Sequence, residues 1–114
     1  MKNSIKIFVL LFIFSFNSKA QTAYQTKQAT SFSEHASIQL DLSEEDQKFI
    51  YDTYIAKFMN NRANIFGKNL SNEEKKAIYK SSSKKLRQSM RVRFDQPTTA
   101  AIIKSVLEIQ KKNQ

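Results

Sequence analysis

A chain of 114 residues with one glycine, one proline and no cysteine is neither collagen-like nor Gly/Pro-rich and disordered. It has no disulfides, no zinc thiolates and no thiol nucleophile. Its 19 Lys and Arg stand against 10 Asp and Glu, a net charge of +9, and its length allows one small domain with a thin core rather than a deep catalytic cleft.

Residues 1–20 carry the three parts of an export signal. Lys2 and Lys6 make a positive start, an apolar run covers 7–14 and extends to Phe16, and Ser18 and Ala20 are the small residues a signal peptidase requires. A membrane span needs about 20 apolar residues and this run is about half that. Cleavage after Ala20 is therefore expected, with a periplasmic or secreted, soluble product. Residues 21–114 hold sixteen Lys and Arg against ten Asp and Glu, a net charge of +6. For an exported protein that charge points to acidic surfaces, anionic lipid or other proteins rather than to nucleic acid.

Residues 21–37 are rich in Gln, Thr, Ser and Ala, with Tyr24 and Phe32 the only large apolar groups. They read as a flexible polar leader. His35 lies in it, away from any catalytic partner. The alternation of apolar and polar residues over 36–42 predicts an extended arm that packs Ile38, Leu40 and Leu42 on the helices.

A first helix is predicted over 44–66. Ser43 suits the N-cap, and Glu44, Glu45 and Asp46 oppose the positive end of the helix dipole. Ile50, Tyr51, Tyr54, Ile55, Phe58, Ile65 and Phe66 share one face, with Lys57 on the other, and Gly67 follows where a left-handed residue is wanted. A second helix is predicted over 72–94, opened by the capping box Ser71-Asn72-Glu73-Glu74. Its narrow apolar stripe is Ile78, Ser82, Leu86, Met90 and Phe94, and Lys76, Lys80, Lys84, Arg87 and Arg91 line up on the opposite face. Pro97 breaks the chain and starts a third helix over 97–112, capped by Asp95 or Gln96. The expected architecture is all-α, a small bundle or hairpin of about three amphipathic helices with an extended N-terminal arm, residues 38–114 forming the helical domain.

The sequence contains no Gly-rich phosphate loop and no nucleophile elbow, and capping accounts for the acidic triplet 44–46. The chain reads as a non-enzyme that needs neither cofactor nor metal. The basic stripe Lys76, Lys80, Lys84, Arg87 and Arg91 is the candidate binding surface, with Met59 and Met90 as adaptable apolar contacts. Three helices in so few residues leave apolar surface that a homodimer or a partner would cover.

Leu40-Asp41-Leu42-Ser43-Glu44-Glu45-Asp46-Gln47 before a helix, and Leu70-Ser71-Asn72-Glu73-Glu74 before the next, resemble the LTxxQ motifs of the small exported helical proteins of the Spy/CpxP type. Gln47 falls one place late for that motif, and Gln96-Pro97-Thr98-Thr99 stands where a terminal copy would be sought. The resemblance covers about residues 40–112 and implies an ATP-independent, chaperone-like stress protein that binds unfolded envelope proteins on a basic, partly apolar helical surface. The residues by themselves leave two alternatives open: a protein dedicated to one fixed envelope partner, or a binder of anionic membrane surfaces.

Overall fold

A computed structural model describes residues 23–113. The export signal expected over 1–20, the start of the leader and the last residue lie outside the described residues. The described chain is all-α, with four helices: α1 (Ala23–Leu40), α2 (Glu44–Ile65), α3 (Asn72–Met90) and α4 (Gln96–Lys112). In space α1 packs on both α2 and α4, and α3 packs chiefly on α2.

The fourth helix is α1, where a polar leader and an extended arm were expected. Its buried positions are Ala29, Phe32, Ser33, Ala36 and Ser37, a spacing of three and four that defines one helical face. Most of that face consists of Ala and Ser, so a reading based on large apolar residues misses it. Small side chains let α1 approach two neighbours closely, and Phe32 is the single large group driven into the core. Ile38 is 80% exposed and does not pack as expected, whereas Leu40 and Leu42 do lie against the core.

Local signals account for the other helix ends. The hydroxyls of Ser43 and Ser71 accept from the backbone N–H of Asp46 and Glu74, both at 3.1 Å. Glu74 completes the capping box by accepting from the Ser71 N–H at 2.9 Å, and this bond holds its carboxyl below the ordinary carboxylate range. Asp95 caps α4 by accepting from the Thr98 N–H at 2.8 Å. The Arg93 guanidinium donates to Asp46 at 2.6 Å and lowers its carboxyl, tying the α3–α4 turn to the start of α2. Phe94 packs edge-on against Phe49 at the same place, with centroids 5.8 Å apart. These contacts end α3 at Met90 rather than at Phe94.

Two residues sit at positive φ. Gly67 (φ 75°) follows Phe66 (φ −61°, ψ 131°), and the Lys68 N–H donates back to the Ile65 carbonyl at 3.1 Å; this is a type II turn, which wants glycine at its third position. Asp41 (φ 53°) ends α1, and the Leu42 N–H reaches the Ser37 carbonyl at 2.9 Å, as in a Schellman cap with Asp in the place glycine prefers. Asp41→Gly is expected to stabilise the protein by about 0.5–1 kcal/mol, since it relieves the left-handed strain and removes a negative charge from a helix C-terminus. Gly67→Ala is expected to destabilise by about 1 kcal/mol through the backbone alone, because an added Cβ meets nothing within 4 Å. Urea midpoints of the two variants should move in opposite directions.

Candidate functional site

Between residues 75 and 94 the chain carries eight Lys and Arg and no Asp or Glu. Helical spacing lays Lys76, Lys80, Lys84 and Arg87 along the outer side of α3, with Arg91 as its C-cap. All five are exposed. Among the described residues the ion pairs are Lys48–Asp52 and Arg93–Asp46, so no carboxylate neutralises the stripe. The surface is a row of exposed cationic side chains on a helix that rests on one principal neighbour.

Met59 and Met90 do not belong to this surface. Met59 is 7% exposed and Met90 is fully buried, both packed in the core with Leu86 and Ile55. The reason is geometric. Met90 continues the Ser82–Leu86 stripe that faces α2, and Met59 is on the buried side of α2, so their flexibility fills core space and meets no partner.

Exposed apolar groups lie elsewhere. Tyr24, Phe66 and Tyr79 are 68%, 68% and 49% exposed, and they line an open groove of about 300 Å³ where the start of α1, the end of α2 and α3 come together. Arg62 stacks over the Phe66 ring at 4.3 Å. On the far side of the molecule His35 faces a groove formed with the end of α4, in a helix rather than in a loop, and its Nε2 is buried without a hydrogen-bond partner.

A narrower cleft of about 120 Å³ opens between α3 and α4, floored by Phe32, Tyr54 and Phe58. Arg87, Leu107 of α4 and Lys57 of α2 also line it. Lys57 was expected on the polar face of its helix; it is half-buried instead, with its ammonium 5.9 Å from the Tyr54 ring centre. Burial, and secondarily the charge of Arg87, push its ammonium below the usual lysine range. Burial pushes the Tyr54 phenol far above its ordinary value, against a smaller downward pull from Arg87. Of the two cations, the sequence singles out Arg87 through the basic stripe and places Lys57 on the polar face of α2.

Tyr54 makes the alkaline behaviour predictable. Its folded pKa is raised, so above pH 10 the unfolded chain loses this proton while the folded chain keeps it, and stability falls as pH rises. The expected slope is about 1.4 kcal/mol per pH unit above 10. Tyr54→Phe should flatten that loss in chemical denaturation followed at pH 9 to 11.

No helix among the described residues is long and apolar enough to cross a membrane. No family model, no curated protein and no solved structure matches the chain.

Proposed function

We propose that the protein captures unfolded or partly folded envelope proteins, without ATP and without bond chemistry, on the basic face of α3 and the apolar surface beside it. The observation that carries this reading is the uncompensated run of cations on α3, a flank helix whose outer face no other helix covers. Long-range attraction speeds encounter with acidic segments, and the nearby Tyr79 and Leu107, both about half exposed, offer apolar contact. The resemblance to the Spy/CpxP type and the export signal agree with such a role. A homodimer would bring two such faces together.

The test is suppression of aggregation of two unrelated unfolding proteins at low and at high salt. Protection of both, weakened several-fold at high salt, is expected. Replacing Lys80, Lys84, Arg87 and Arg91 together with Gln should weaken protection at least fivefold and leave helicity unchanged. If neither protein is protected and one envelope protein is bound one to one, the reading is replaced by that of a fixed-partner protein. Salt-sensitive binding to anionic but not neutral vesicles, again without protection, replaces it by that of a membrane-surface binder.

A further inference from the structure

The cleft between α3 and α4 has a chemistry that the outward stripe lacks. Lys57 and Arg87 come from different helices and line the same small cavity. No Asp or Glu lines it, and neither cation is in an ion pair among the described residues. A cation without a carboxylate partner, held half out of water beside a second cation, costs stability that its contact with the Tyr54 ring offsets only in part. Arrangements that break a local rule for little structural gain occur at functional or strained sites. An anion placed between the two side chains would offset both the burial of Lys57 and its repulsion from Arg87.

Ser83 and Gln110 add polar groups to the cleft, and its other walls are apolar. Phe32 and Phe58 form its floor, and Ile103, Val106 and Leu107 of α4 form one wall. A volume of about 120 Å³ is that of about four water molecules at ~30 Å³ each. That space takes one leucyl or phenyl group and is too small for the acyl chain of a lipid.

We infer that the cleft binds a peptide unit in which a carboxylate adjoins a large apolar side chain, with the carboxylate between Lys57 and Arg87 and the apolar group against Phe58 and Leu107. This rests on the capture reading and names the client segment preferred under it. The stripe attracts any acidic chain, whereas the cleft selects acidic–apolar neighbours within it.

The experiment is a titration of the ¹⁵N-labelled protein with three short peptides, acetylated and amidated, of Ser and Gly around a central Phe-Asp, Phe-Asn or Ser-Asp pair. The Phe-Asp peptide is expected to shift the amides of Lys57, Ser83 and Leu107 saturably, and each of the others to bind at least fivefold more weakly. Lys57→Gln should weaken the Phe-Asp peptide five- to tenfold and leave the Phe-Asn peptide unchanged. This variant loses a desolvated charge, so it should melt no lower than wild type, and a loss of binding reports on the cleft. Equal binding of the Phe-Asp and Phe-Asn peptides, or unchanged affinity in Lys57→Gln, overturns the inference. Aggregation suppression without peptide binding overturns the cleft alone and leaves capture on the stripe; peptide binding without suppression supports the cleft and overturns the capture reading.

Discussion

Phe32→Ala is expected to cost about 3–5 kcal/mol, enough to unfold much of the protein at room temperature if its total stability is typical of a small domain. Phe32 is 1% exposed and is the one large side chain that α1 places fully in the core. It meets Tyr54 and Phe58 edge-on, with centroids 5.3 and 6.0 Å apart, contacts worth about 0.5–1.5 kcal/mol each beyond the area they bury. The surrounding positions on α1 are Ala29, Ser33, Ala36 and Ser37, too small to close the resulting cavity. A chain that begins at Asp41 lacks the whole α1 face and should not fold, since α2 and α4 would each lose the helix between them. A flexible leader would predict no change in either case. Urea denaturation followed by circular dichroism separates the two expectations, because the leader reading leaves the midpoint where it was.

Met90→Ala is the second large effect, at about 2–5 kcal/mol. Met90 is fully buried, and its carbonyl accepts from the N–H groups of Arg93 at 3.1 Å and Phe94 at 2.9 Å, so the end of α3 and the turn into α4 are organised around this residue. Met90→Leu conserves volume and should cost less than about 1.5 kcal/mol. Under the proposed capture function, the Leu variant should match wild type in aggregation assays, and the Ala variant should lose protection in step with its loss of fold. A Met90→Leu protein that is stably folded and yet fails to protect would place Met90 in contact with clients, contrary to its burial.

Much of the fold is written in short-range chemistry. Ser43, Ser71 and Asp95 each satisfy an otherwise unpaired amide three residues on, Gly67 occupies a turn position that other residues enter with strain, and Pro97 stands in the first turn of α4 where its missing N–H is not needed. Such devices act within a few residues, so they are legible wherever they occur. The starts of α2, α3 and α4, the all-α class and the basic stripe on α3 follow from them together with helical periodicity.

The remainder depends on residues brought together from distant parts of the chain. Ala29, Ser33 and Ala36 become a helical face only because α2 and α4 lie close enough to cover small side chains. The end of α3 at Met90 depends on Arg93 reaching Asp46 and Phe94 reaching Phe49, contacts that span more than forty residues. Met59 and Met90 look alike whether they serve a core or a surface, and burial alone assigns them. The cleft joins Lys57 of α2, Arg87 of α3 and Leu107 of α4; helical spacing places Arg87 in the basic stripe, but nothing in the sequence brings it together with Lys57 and Leu107. Caps, turns and charge spacing are local free energies and so belonged to the sequence by itself; which faces are covered, and which two cations line one cavity with no carboxylate in its walls, is a matter of packing between helices, and only the tertiary structure decided it.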